Sequence, residues 1–296
     1  MSTNKVLASP PANCCVTGVK HSGTPQGYTI PLGGMETYVS EPKNGVEGVK
    51  RVILYLSDIW GSLFLNSKLI QDYFAARGYI VLGPDYFFGN PPGLRLDDPA
   101  FDFDQGMKTA LDKATEVLPA WYKAVKEKYG TDVKYFAVGY CFGAPHTLKL
   151  ASSDEIVAAA IAHPAFLTED DFRGIKSEHL SMASSLVPLA DLPPSNLQNL
   201  SFSLVLVSSP RTRPSSTSLR TLNDPNLAED DFLFPTPSRR IAEDILFGKK
   251  ATYQLEVYSG VGHGFAVRGD PEVEHERWAK EESAKGIVGW FDRFSK

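Results

Sequence analysis

Cys141, His263 and an aspartate at position 230 or 231 are far apart in the chain, yet they have the side-chain types and local settings that acyl-transfer chemistry through a thiol requires. Cys141 lies at the centre of KYFAVGYCFGAPHTLKL, Lys134 to Leu150. Lys134 to Val138 is β-rich, Gly139-Tyr140-Cys141-Phe142-Gly143 is a tight turn, and Ala144 to Ala151 resumes with helix formers. The spacing G-x-C-x-G predicts a nucleophile elbow. Glycines two before and two after the nucleophile let strand and helix approach where any Cβ would collide. A thiol at such a corner projects above the sheet, with a helix N-terminus behind it that favours negative charge. A buried structural cysteine beside a helix that begins with glycine is the other reading of the pentapeptide.

A thiol nucleophile needs a base, and the base needs a group to orient it. Of the six histidines, His21 lies in a polar arm and His275 in a charged terminal helix, so both read as solvated surface positions. His146 is inside the elbow helix and reads as packing, and His179 opens a β-like run. His163 follows a buried strand and precedes Pro164, where a structural histidine is the expectation. His263 differs: it sits in a glycine-bounded loop after the final strand, well after the nucleophile, which suits the chain order nucleophile, acid, histidine. That order puts the acid on a loop before the last helix and strand. Asp230 and Asp231 stand there, followed by Phe232-Leu233-Phe234-Pro235 and a helix from Thr236 to Leu246. Two solvated turn aspartates are the alternative.

The elements that must position these groups follow from hydrophobic patterning. Val49 to Leu56 ends in a run with little polar interruption, as expected of a strand covered on both faces. Ser57-Asp58-Ile59-Trp60-Gly61 is the loop at its C-terminal end, the end at which open α/β sheets bind ligands. Ser62 to Arg77 has helical spacing and stops at Gly78, and Tyr79 to Gly83 is the next strand. Pro84 to Gly93 is an aromatic loop containing Tyr86, Phe87 and Phe88, either a packed surface loop or the wall of a substrate pocket. Tyr28 to Val39 is a hairpin turning at Gly33-Gly34, and Asp104 to Tyr129 is a helix or helix pair. Strands at Ile156 to Ile161 and Thr252 to Val257, with a last helix from Glu274 to Phe294, complete the pattern. Strands alternating with helices predict an α/β fold with a mainly parallel, doubly wound sheet and helices on both faces. The expected organisation is an irregular arm over residues 1–27 on the surface of a single domain, 28–296.

Composition excludes several classes. The chain has 296 residues, 43% hydrophobic and 22% charged, with a formal charge of -5, which offers no general attraction to nucleic acid or to an anionic membrane. No signal-peptide core and no run of about 18 apolar residues is present, so a cytoplasmic protein is expected. Cys14, Cys15 and Cys141 make a disulfide framework improbable, and no Cys/His spacing resembles a zinc site.

The ordered set YLSDIWG (Tyr55 to Gly61), GPDYFFG (Gly83 to Gly89), VGYCFGAPH (Val138 to His146), AHPAF (Ala162 to Phe166), DDFLFP (Asp230 to Pro235) and YSGVGHGFAVRGD (Tyr258 to Asp270) resembles the dienelactone hydrolases, or carboxymethylenebutenolidases, most nearly their fungal branch. The resemblance covers about Cys14 to Arg293 and implies the α/β-hydrolase fold. It implies Cys141 as nucleophile, His263 as base and Asp231, rather than Asp230, as acid. It also implies a carboxylate beside the resting thiol, where Asp58 replaces the Glu of bacterial members, and an oxyanion hole from the backbone N–H groups of Ile59 and Phe142. Bacterial members have an arginine that grips the substrate carboxylate; Gly89 stands there instead, leaving Arg268, at an offset differing by one, as the other anion contact. Trp60, Tyr86 and Phe88 are the expected pocket side chains.

One stretch departs from the resemblance. Ser184 to Leu227 holds ten Ser and six Pro in 44 residues with five charged ones, a composition that reads as an insertion of loop, or as translated intron. Leu200 to Val207 is its one strand-like segment. The resulting expectation is a hydrolase of small esters or lactones working through an acyl-enzyme without a cofactor, as a monomer or small homo-oligomer. A thioesterase or carboxylesterase, and a non-catalytic binding protein with a disrupted acid loop, are the alternatives.

Overall fold

The computed structural model describes residues 4–11, 18–45, 48–176, 179–186, 231 and 233–296. Ten strands and seven α-helices occur among them. Strands β2 (Tyr28–Leu32), β3 (Met35–Ser40), β4 (Lys50–Leu56), β5 (Ile80–Pro84), β6 (Val133–Tyr140), β7 (Ile156–Ala162), β9 (His179–Leu186) and β10 (Thr252–Ser259) form one sheet in the order β10-β9-β7-β6-β4-β5-β3-β2. Every pair from β10 to β5 is parallel, and the β3 hairpin joins antiparallel. The mainly parallel α/β sheet expected from the sequence is therefore the one observed.

The strand patterns explain why both faces are covered. In β4, Ile53 and Tyr55 point into one apolar cluster while Val52, Leu54 and Leu56 point into another. The first cluster is closed by α1 (Leu65–Ala75) and α7 (Glu274–Phe294), through Ile70, Phe74, Ile287, Trp290 and Phe291. The second is closed by α2 (Phe103–Tyr129), a single long helix whose Met107, Ala114, Trp121 and Val125 face the sheet. Each fully buried aromatic or aliphatic side chain of this kind contributes ~1.5–3 kcal/mol relative to exposure. β7 reads IVAAAIA, so alanines face both ways and let α3 (Ala144–Ala151) and α7 come close to the sheet. A third cluster joins α3, α4 (Glu169–Gly174) and α5 (Thr236–Gly248) to β7 and β9.

Two expectations need correction. The N-terminal arm is not wholly irregular: β1 (Val6–Ala8) pairs antiparallel with β8 (Leu167–Thr168), and Leu7 and Ala8 are buried because they fill the apolar cluster of α3, α4 and α5. His21 is not a solvated position either. Its Nε2 bonds the Gly269 carbonyl at 2.9 Å, and its backbone N–H donates to Asn66. Single-residue polarity misses both, because partners distant in sequence supply the burial. Cys14, Cys15, Asp230 and the Ser/Pro-rich stretch beyond Leu186, including the strand expected at Leu200 to Val207, lie outside the described residues. Among the described residues no helix is long and apolar enough to cross a membrane.

Candidate active site

The elbow is built by steric exclusion. β6 ends at Tyr140, a single 3₁₀ turn spans Cys141–Gly143, and α3 follows at once. Cys141 has φ +48, a left-handed conformation uncommon for a residue with a side chain. The flanking glycines make it possible. A Cβ on Gly139 would lie 2.2 Å from Thr147 Oγ1 and 2.7 Å from the Gly143 carbonyl oxygen, and one on Gly143 would lie 2.2 Å from the Leu56 carbonyl oxygen. The turn is fastened from outside as well: Ala165 N–H donates to the Cys141 carbonyl at 3.1 Å.

Three buried side chains meet at this corner. His263 Nε2 lies 3.1 Å from Cys141 Sγ, and His263 Nδ1 lies 2.9 Å from Asp231 Oδ1. An ionised carboxylate only accepts, so Nδ1 carries the proton toward Asp231 and Nε2 is left to accept from the thiol. Asp231 is held by its own turn, since Phe234 N–H donates to its carbonyl at 3.0 Å and lies 3.3 Å from Oδ1. His263 is held by the chain that follows it. Gly264, at φ +93, has no room for a Cβ beside the Arg268 guanidinium, and it opens the short helix α6 (Phe265–Arg268).

The loop after β4 forms the opposite wall. Trp60 N–H donates to Asp58 Oδ1 at 3.0 Å, Gly61 N–H donates to the Asp58 carbonyl at 3.1 Å, and Gly93 N–H donates to the Ile59 carbonyl at 2.9 Å. Those bonds fix Ile59, which is fully buried, while its own N–H donates to no acceptor among the described residues. Phe142, the residue after the thiol, is buried against Tyr86 and Phe87, with ring centroids at 5.8 and 5.0 Å.

Several side chains are placed differently from the sequence expectation. Asp58 does not bond the thiol; its Oδ2 pairs with Arg268 Nη1, so its two oxygens are taken by Arg268 and the Trp60 amide. Arg268 is correspondingly buried, packed under Gly18. Tyr86 is buried, donating from its hydroxyl to the Ser57 carbonyl at 2.6 Å, so it braces the loop after β4. Phe88 is half exposed at φ +54. Trp60 alone of the expected pocket residues lines a cavity of about 520 Å³, with Phe64, Leu65, Lys68, Pro91 and Leu94; Cys141 is not among its walls. His163, expected to be a structural histidine, is fully buried with its ring centroid 5.0 Å from that of His263. The adjacency arises because β7 lies next to β6 in the sheet, and the only linear hint was the end of a buried strand.

Comparison with known proteins agrees with this architecture. The family model described as "Dienelactone hydrolase family" matches residues 35–185 and 225–295. Dienlactone hydrolase 1 of Gibberella moniliformis is 34% identical over 298 residues, covering 97% of this chain and 95% of that one. Hydrolase pyvD of Aspergillus violaceofuscus is 31% identical over 289 residues, covering 97% and 98%. Among solved structures, a putative dienelactone hydrolase from Klebsiella pneumoniae superposes with a TM-score of 0.63 at 15% identity, covering 90% of this chain and 98% of that one, a likeness of fold. On the family match and on these near full-length relatives, the chain belongs to the dienelactone hydrolase family.

Proposed function

We propose that this hydrolase cleaves small carboxylic esters or lactones through a Cys141–His263–Asp231 relay. The observation that supports the reading most is the unbroken series of two buried contacts, 3.1 Å from sulfur to Nε2 and 2.9 Å from Nδ1 to carboxylate. His263 takes the thiol proton as Sγ attacks the acyl carbon, and Asp231 holds the tautomer and stabilises the imidazolium that forms. Negative charge then grows on the carbonyl oxygen, where the Ile59 and Phe142 N–H groups would donate. The tetrahedral species collapses with loss of the alkoxide, which His263 protonates; in a lactone the alcohol stays tethered to the acyl group. Water, deprotonated by His263, attacks the thioester and releases the carboxylate, returning Cys141 to its thiol form.

The cavity outside Trp60 favours a second reading within the same chemistry, in which the ester carries a larger apolar acyl or alcohol portion than a minimal lactone. Turnover of a small activated ester, a long-chain ester and a dienelactone by the protein and by Cys141→Ala tests both. The relay predicts turnover of at least one compound and its loss in Cys141→Ala, with an acyl adduct on Cys141 detected by mass spectrometry after rapid quenching. Turnover that survives Cys141→Ala removes the thiol from the mechanism.

A further inference from the structure

His163 is an anomaly in the core. Its ring is fully buried, and neither ring nitrogen has a hydrogen-bond partner among the described residues. Buried polar atoms are nearly always satisfied, because leaving them unpaired costs free energy that an apolar residue of the same volume would not incur. The chain also takes up an unusual backbone to hold this residue. His163 has φ +37 and Phe166, three residues on, has φ +58, both in the left-handed region that side chains disfavour. Hydrogen bonds hold them there: His163 N–H donates to the Ala183 carbonyl at 3.0 Å, and Ala165 N–H donates to the Cys141 carbonyl at 3.1 Å. One four-residue loop therefore grips the nucleophile's backbone and presents a ring to the base.

The ring geometry says what that presentation does. His163 stands edge to face with His263, at a centroid separation of 5.0 Å and an interplanar angle of 77°. Tyr140 at 5.9 Å and Phe265 at 5.8 Å brace it in turn. The torsion that sets an imidazole's plane is broad, so His263 has little intrinsic preference that would hold Nε2 on the sulfur. The Asp231 hydrogen bond holds one end of the ring, and the His163 ring, packed at 77° to it, confines its plane.

We infer that His163 is a positioning residue for His263, its ring, packed across that of His263, confining the plane in which His263 spans from Asp231 to Cys141; the inference rests on the relay described under Proposed function. Among the described residues the titratable and charged groups that face His163 are His263 from the loop after β10, Arg268 from α6 and Tyr140 from β6. Burial first, then the charges of His263 and Arg268, hold the His163 imidazole well below its ordinary value. It thus stays neutral and places no second positive charge against His263 when that residue takes up the thiol proton.

The test uses His163→Leu, which fills the volume without a planar edge, and His163→Phe, which keeps one. In His163→Leu, kcat falls about a hundredfold while KM stays within about twofold, because orientation of the base is lost and binding is not. Alkylation of Cys141 by iodoacetamide, at one pH, slows several-fold, because Nε2 is no longer held on the sulfur to take its proton. His163→Phe recovers most of both effects. Wild-type kcat and alkylation rate in a folded His163→Leu, or a His163→Phe as impaired as the leucine variant, overturns the inference. Should the variants not fold, NMR titration of the His163 ring in the unsubstituted protein decides: no titration between pH 5 and 8 supports a neutral buried ring, and titration there overturns it. Failure of the relay itself is separately visible, since turnover would then survive Cys141→Ala.

Discussion

Arg268 and Asp58 form an ion pair sealed inside the protein, tying the loop that carries Ile59 to the helix that follows His263. Neither side chain is more than marginally accessible, so the Asp58 carboxylate is compensated by the Arg268 guanidinium and the Trp60 amide rather than by water. The opposite walls of the site are thereby joined by one pair.

The pair predicts an asymmetric response to substitution. Arg268→Met leaves the Asp58 carboxylate buried and half compensated, and stability falls by about 3–5 kcal/mol. Adding Asp58→Asn to it removes the unpaired charge and recovers a large part of that loss. Urea unfolding of the two single variants and the double variant measures the coupling directly. Additive losses in the double variant would show that the pair is not a unit.

The relay predicts non-additive kinetics. Asp231→Asn retains a side chain of the same size but presents a donor where His263 Nδ1–H needs an acceptor, and kcat falls by about 10²–10⁴-fold. Cys141→Ala alone costs about as much as Cys141→Ala combined with His263→Ala, because a base without a nucleophile contributes nothing. Initial rates with an activated ester, measured for all four proteins at one pH, check this.

The elbow predicts a steric failure that has nothing to do with charge. In Gly143→Ala the new methyl group meets the Leu56 carbonyl, which is sheet backbone and cannot turn aside. The strand, turn and helix must separate, costing about 1–3 kcal/mol and displacing Cys141 from His263. Gly34→Ala is the control for added bulk: its φ of +83, unlike the -73 of Gly143, strains the turn, but nothing among the described residues lies within 4 Å of the added atom. Ester turnover is lost in the first variant and kept in the second, with thermal unfolding recorded for both.

Much of this site was legible in the linear sequence because its parts sit at element boundaries that carry local signals. The G-x-C-x-G corner, the glycine-bounded His263 and the acid loop before α5 each announce themselves within a few residues. The β4 and β7 strands read directly from continuous apolar runs, and α7 was found to the residue from its alternating pattern. What escaped was everything decided by contacts between loops. Asp58 and Arg268 are 210 positions apart, and only the fold brings them together. His163 reads as an ordinary structural histidine until β7 is laid beside β6 and its ring meets His263. Val6–Ala8 became a strand because β8 offered a partner, which no feature of the arm itself foretells.

The buried histidines predict an acid-sensitive fold. Burial lowers His146 from its ordinary 6.5 to about 4, and His163 is lowered well below the same value by burial, His263 and Arg268 in that order. Between about pH 4 and 6.5 the unfolded chain binds protons at these positions and the folded chain does not, so stability falls as pH drops through that window and is fully present above it. Each such histidine contributes a slope of ~1.4 kcal/mol per pH unit inside its window. Urea midpoints measured from pH 7.5 to pH 4.5 should fall steeply below about 6.5, and His146→Leu should flatten the profile by about one proton's worth. The Nε2 of His146 has no hydrogen-bond partner among the described residues, so the leucine removes the titration without orphaning another described group. An unchanged slope in that variant would mean that His146 charges freely in the folded protein, and the burial argument for the elbow helix would fail with it.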